Sequence, residues 1–262
     1  MSIDQETDAM IEMWQFRLSM YPEKVRWALD YKGIPHILHS LMPGPHAVPM
    51  LLRARQKALP VMTHGAAMIK GSATIIDYLE QHFPEKSLYP ADPILRDQAL
   101  ALQHWFDEVG LHIRCAFFHE FLPETAYAAN LFSIGYPPRV RQLYRIAFPV
   151  TRSIMQQDMG ISRKTALEGY RRTEEALDFL VQQLGSAKYL VGGQFSIADL
   201  AAAVILFPTV FPPQYPVAFP YPRPAPVEQW LLRWAGHPAT TWVREIYRVH
   251  RGQSAAIEDQ NG

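Results

Sequence analysis

Three prolines in ten residues, Pro84, Pro90 and Pro93 in "PEKSLYPADP", with no hydrophobic periodicity between them, interrupt any helix or central strand and divide this chain into two unlike parts. Upstream, short apolar runs alternate with helical patterns. "IEMWQFRL" from Ile11 reads as a strand covered on both faces, because Met13 and Trp14, on opposite sides, are both apolar. A helix through Val25, Ala28 and Leu29 stops near Tyr31 or Lys32, where a basic residue, Gly33 and Pro35 follow in order. "HILHSL" reads as a second strand. An irregular stretch with Pro43, Gly44, Pro45 and Pro49 leads to a short helix through Leu51 and Leu52, then "PVMTH" and "AAMIK" form a hairpin about Gly65. A helix from Ser72 carries Ile75, Ile76 and Leu79 on one face and ends at Phe83, before Pro84. The first part is therefore β-α-β-α-β-β-α.

Downstream of the break the patterns are helical: Asp97 to Phe121, Val140 to Asp158, Arg163 to Leu184 closed by Gly185, Ile197 to Phe207, Val227 to Ala235 and Ala239 to His250. This divides the chain into an acidic lead-in over 1–10 expected to be disordered, an α/β domain over 11–83, a linker over 84–93 and an all-helical domain over 94–262. The stretch from Phe207 to Pro226, rich in proline and spaced by Phe211, Tyr215, Phe219 and Tyr221, is an extended strap expected to dock on its own chain.

Charge and cysteine usage narrow the function classes. Lys and Arg total 25 against 25 for Asp and Glu, without a long basic run, so the field that nucleic-acid binding requires is absent. The apolar run "LAAAVILF" is far below the roughly 20 residues of a membrane span. One cysteine, Cys115, forms no intrachain disulfide framework and no multi-thiolate metal site. His104, His112 and His119 lack the spacing of a His-x-x-x-His metal site. The opening "MSIDQETDAM" has neither the basic nor the apolar region of a signal peptide. A cytoplasmic protein with no nucleic-acid, membrane or metal partner is expected.

In the helical half, "FSIADLAAA" places Ser196 at an N-cap and Asp199 three residues on, a capping box with Asp in place of Glu, and Phe195 and Leu200 at staple positions. Its role is to nucleate a buried helix. In the first half, "LSMYPEKVRWAL" puts Ser19 just ahead of the first helix, where it is either a plain cap or a hydroxyl aimed at a ligand. Together, Ser19 ahead of Lys24-Val25, the Leu59-Pro60-Val61 triplet and the later "FSIADLAAA" resemble a cytosolic-type glutathione S-transferase, over roughly Ile11 to His250.

That resemblance implies a thioredoxin-like N-terminal domain, an all-α C-terminal domain, and a cleft between them that takes glutathione as co-substrate and a small hydrophobic electrophile. It implies Ser19 as donor to the glutathione sulfur, whose thiol ionises near 8.5 when free. It further implies a cis bond at Leu59–Pro60 with the Leu59 backbone bonding the tripeptide, and Ser72 at a helix start receiving the γ-glutamyl carboxylate. Lys57 is either a partner for the glycyl carboxylate or a solvated surface lysine. Tyr21 is a second hydroxyl near the cleft mouth, or a ring packed there. Where the family usually has an acid, this chain has Gly71, and where it often has proline, Met20. These two departures favour the alternative of a non-catalytic binding or scaffold protein on the same fold. The electrophile pocket is expected along the helix of Trp105, Phe106, His112 and Cys115 and against the strap. The resemblance also implies a two-fold homodimer.

Overall fold

The computed structural model describes residues 9–257, so most of the acidic lead-in expected over 1–10 lies outside the described residues. Five strands form one mixed sheet in the order β4-β3-β1-β2-β5. Strand β1 (Ile11–Gln15) runs parallel to β2 (His36–Ser40), from Ile11↔His36 to Gln15↔Ser40, and antiparallel to β3 (Val61–His64), from Ile11↔His64 to Trp14↔Val61. Strand β3 turns at Gly65 into β4 (Ala67–Lys70).

Both faces of β1 are covered, which is why its sequence does not alternate cleanly. Ile11 and Met13 join a core shared with Val25, Ala28 and Leu29 of α1 (Met20–Lys32) and with Ile75, Ile76 and Leu79 of α3 (Ser72–His82). On the other face Trp14 and Val61 pack on Met50 and Ala54 of α2 (Ala47–Ala54). Gly33 ends α1 with φ 71°, a left-handed cap that costs glycine nothing. The fifth strand, β5 (Ala256–Ile257), comes from beyond the helical half and pairs parallel to β2. Sequence reading places no strand there. Ala255 N–H donates to the Asp30 carboxylate at 2.7 Å, and Arg251 pairs with Asp30 at 2.8 Å and with Glu23 at 2.6 Å, which pins this returning segment to α1.

The helical half comprises α4 (Pro93–Phe121), α5 (Thr125–Phe132), α6 (Pro138–Asp158), α7 (Arg163–Leu184), α8 (Ile197–Leu206), α9 (Ala225–Trp234) and α10 (Pro238–His250). Helix α8 is its axis, with every residue from Ile197 to Leu206 buried and with α1, α4 and α10 packed around it. At Gly110 helix α4 comes close to α8 and α1, where a Cβ would stand 2.7 Å from Ile205 Cδ1 and 3.1 Å from the Tyr21 hydroxyl. Gly169 does the same for α4 and α7, where a Cβ would reach 2.4 Å from the His112 carbonyl. At the start of α8 the expected capping box is present: the Asp199 carboxylate accepts from Ser196 N at 2.9 Å and from Leu190 N at 2.8 Å. Burial pushes Asp199 up to about 6 against those bonds.

The segment between α3 and α4 has no regular element, yet it is not loose, because Ile197 N of α8 donates to the Leu88 carbonyl at 2.9 Å. The proline strap packs on its own chain through aromatic stacks, Phe207 on Tyr215 at 4.1 Å and Phe211 on Phe219 at 3.8 Å. Trp230 and Tyr127 add hydrogen bonds to the carbonyls of Pro208 and Pro220.

Candidate functional site

Where the two halves meet, a cleft of about 650 Å³ opens. Its floor and one wall come from the α/β domain: Phe16, Leu18 and Ser19 leading into α1, the β2–α2 loop from Pro43 to Ala47, and Lys57, Ala58 and Leu59 ahead of β3. Arg114 and Phe118 of α4, Phe132 of α5, and Thr151, Ile154, Met155 and Asp158 of α6 form the facing wall.

Ser19 is the N-cap of α1 by backbone geometry (φ −89°, ψ 135°), and its carbonyl accepts from Glu23 N at 3.1 Å. Its hydroxyl makes no capping hydrogen bond, and the residue lines the cleft. Pro22 in the first turn has no N–H, and the amides ahead of Glu23 have no i−4 carbonyl to meet, so positive dipole collects at the same point. A hydroxyl and a helix start held together suit an anionic sulfur.

The Leu59–Pro60 peptide is cis, and Leu59 lines the cleft. Pro60, Gly71 and Ser72 do not line it. They meet one another at the end of the β3–β4 ladder, where the Pro60 carbonyl accepts from Gly71 N at 3.1 Å and Ser72 opens α3 with 8% exposure. Gly71 adopts φ 87°, a conformation that strains any L-residue, so the backbone here favours glycine where the resemblance leads one to expect an acid. Lys57 stands at the rim, half exposed, and its Nζ pairs across the cleft with Asp158 Oδ2 at 3.0 Å.

Tyr21 also lines the cleft, but its hydroxyl donates to the Asp107 carbonyl of α4 at 2.8 Å. Burial raises it well above the ordinary phenol range, so it stays protonated and ties the two halves together. Lys24, fully buried, pairs with the Asp107 carboxylate at 2.5 Å in the same seam, and desolvation pulls its ammonium below the usual lysine value against that attraction.

The α4 residues expected to face an electrophile lie away from this cleft. Trp105 packs on Phe179 at 4.0 Å, Phe106 is buried in the core, and Cys115 Sγ is directed to the Met159 carbonyl at 3.5 Å. None of these, nor His112, nor the strap, borders the cleft, whose α4 residues are Arg114 and Phe118. Sequence reading passed over both. The signal lay in the spacing Asp107, Gly110, Arg114, Phe118, one stripe of α4 on which Asp107 and Gly110 meet α1 and Arg114 and Phe118 continue into the cleft. Among the described residues no cluster of three or more His, Cys, Asp or Glu side chains could hold a metal ion, and no helix is long and apolar enough to cross a membrane.

Comparison with known proteins follows the same division. Residues 14–87 match the family described as "Glutathione S-transferase, N-terminal domain" and residues 160–237 the one described as "Glutathione S-transferase, C-terminal domain". "Glutathione S-transferase 1" of Dianthus caryophyllus is 38% identical over 101 residues, 37% of this chain and 44% of that protein. A "Probable glutathione S-transferase" of Nicotiana tabacum is 24% identical over 200 residues, 76% of this chain and 71% of that one. The chain spans about half the length of the first curated relatives it matches, 44 to 57%. A solved glutathione S-transferase from Sinorhizobium meliloti superposes with a TM-score of 0.54 at 18% identity, over 90% of this chain and 92% of that one, a likeness of fold. Two domain matches that together take in more than half of the residues, in the order in which the α/β and helical halves succeed one another, establish that the chain belongs to the glutathione S-transferase family.

Proposed function

We propose that the protein is a glutathione transferase of the serine type, in which the Ser19 hydroxyl and the start of α1 hold the glutathione sulfur as its thiolate. The observation that carries this reading is the Ser19 hydroxyl, uncommitted to its own helix, at the wall of the interdomain cleft beside Leu59. The tripeptide backbone bonds to Leu59 in the manner of an added strand. Its γ-glutamyl carboxylate meets Ser72 and the start of α3, and Lys57 exchanges Asp158 for the glycyl carboxylate. The thiol proton passes to solvent, Ser19 keeps its own proton and donates a hydrogen bond, and the sulfur attacks an electrophilic carbon. The C–S bond forms as the bond to the leaving group breaks. Rate comes from the raised thiolate fraction and from proximity of the two substrates.

In this reading the chain is cytoplasmic, works on small hydrophobic electrophiles and forms a two-fold dimer, α/β domain against the partner's helical domain. Solvent-facing Leu143, Ile146 and Val150 on α6 are surface such a contact would cover. Light scattering on the purified protein checks the dimer.

One observation favours a second reading, a binding protein without turnover: Gly71 holds a backbone conformation that suits glycine and removes the usual partner of the γ-glutamyl ammonium. Retention on immobilised glutathione, followed by conjugation of a generic aryl halide by wild type and Ser19→Ala, separates the two. Conjugation that falls at least tenfold in Ser19→Ala supports the transferase; retention without turnover in either protein supports the binding module.

A further inference from the structure

The cleft holds three charged side chains on its walls, and two of them satisfy each other. Lys57 and Asp158 pair at 3.0 Å. The third, Arg114, lies on α4 in the wall that faces the α/β domain, flanked on its own helix by Phe118. Its Nε is enclosed and has no hydrogen-bond partner among the described residues. Arg152 and Arg223 also have an enclosed, unpartnered Nε, but neither borders the cleft. Arginine cannot shed its charge in a protein, and its planar fork matches a carboxylate in two parallel hydrogen bonds. A guanidinium whose enclosed Nε has no partner, in a cleft that Phe118, Phe132 and Met155 also line, has the composition of a ligand pocket: an apolar body with one placed polar group.

We infer that Arg114 is the specificity residue for the second substrate, and that this substrate is an anionic aryl or alkyl electrophile whose carboxylate, or an equivalent oxyanion, pairs with the guanidinium while its apolar body lies on Phe118, Phe132 and Met155. The inference rests on the cleft being the acceptor site of the transferase proposed above. An uncharged acceptor of the same shape leaves the enclosed Arg114 Nε unpaired, so the site discriminates by charge as well as by shape.

The test compares a chlorodinitrobenzoate with its methyl ester as conjugation substrates, and dinitrobenzoate with its methyl ester, which lack a leaving group, as equilibrium ligands by calorimetry. Wild type, Arg114→Met and Arg114→Lys are used, each checked by thermal unfolding. Wild type is expected to prefer the carboxylate, and Arg114→Met to lose about 10- to 100-fold in affinity and in kcat/KM for the carboxylate while changing the ester less than about threefold, the size of one charge-assisted contact. Arg114→Lys should recover part of the preference. Equal affinity of wild type for acid and ester, or an equal loss for both in Arg114→Met, overturns the inference and leaves the transferase reading standing. A fall in glutathione affinity in Arg114→Met overturns it too, by assigning the arginine to the tripeptide. Arg114-dependent binding of dinitrobenzoate by a protein that does not bind glutathione sinks the transferase reading and keeps the anion site.

Discussion

Replacing Asp199 by alanine isolates what holds the central helix in place. The carboxylate accepts from the backbone amides of Ser196 and Leu190 at 2.9 and 2.8 Å and from the Ser196 hydroxyl at 3.0 Å, with the residue fully buried. Alanine leaves two amides without partners, the buried Ser196 N–H at about 1–3 kcal/mol and the part-buried Leu190 N–H at about 1 kcal/mol, the lower end of that range, whereas the hydroxyl can rotate to a new acceptor. Against this, the buried carboxylate is itself disfavoured, its ionisation pushed up to about 6, and the substitution relieves that desolvation. The relief trims the upper part of the range, and we expect a net loss of about 1–3 kcal/mol at neutral pH. Equilibrium urea unfolding, followed by tryptophan fluorescence and by far-ultraviolet circular dichroism, should show a lower midpoint with an unchanged slope. Asp199 is far from any proposed chemistry, so the folded fraction should bind glutathione as wild type does. A loss under about 0.5 kcal/mol, the scale of an ordinary surface substitution, would refute the claim that this box anchors α8.

Three further outcomes follow from the same seam and site. Because the folded value of Asp199 lies above its unfolded one, the folded state binds the extra proton between about pH 6 and pH 4, so this group's contribution improves as pH falls through 6 and is poorest above it. The difference in unfolding free energy between wild type and Asp199→Asn should change by about 3 kcal/mol across that window, and a constant difference contradicts the assignment. At the domain seam, Asp107→Asn strands the fully buried Lys24 and should cost about 3–5 kcal/mol in urea unfolding, more than Lys24→Met, which leaves a carboxylate that is partly exposed; equal costs would show that the pair is not the buried lysine's support. Gly71→Glu should lower the unfolding free energy by about 1 kcal/mol through strain at φ 87°, yet tighten glutathione binding several-fold by restoring an anion near the γ-glutamyl ammonium; weaker binding by calorimetry counts against that placement of the tripeptide.

Much of the architecture was legible because local signals and packing agree. Gly33 and Gly185 end α1 and α7 where the sequence pattern ends them, and Ser196 with Asp199 opens α8. Helix α4 begins at Pro93, four residues before the expected Asp97, because Asp92 caps it through bonds to Ile94 N and Leu95 N and Pro93 fits the first turn, a signal concealed among the prolines of the break. Helix α5 is short and apolar on several sides, so no amphipathic stripe announced it. Strand β5 depends on partners more than two hundred residues away, Asp30 and β2, which no local pattern encodes. At the site, the family resemblance pointed to Ser19, Lys57 and Leu59, and those three border one cleft. The facing wall was not, since aromatic residues on a long helix look alike from sequence: Trp105 and Phe106 turn to the core while Arg114 and Phe118 turn to the cleft. The strap packs on its own chain as its bulky rings suggested, but away from the cleft, against α9 and the end of α8.

Titrating the thiolate absorbance of bound glutathione against pH, in wild type and in Ser19→Ala, measures directly whether the sulfur is held anionic beside that one hydroxyl. A charge-assisted hydrogen bond of about 1.5–3 kcal/mol corresponds to roughly 1–2 pH units, so the bound thiol should ionise that far below its free value near 8.5 in wild type and return most of the way in the variant. A bound thiol that titrates at its free value, or one whose depressed titration survives the loss of the Ser19 hydroxyl, contradicts the account.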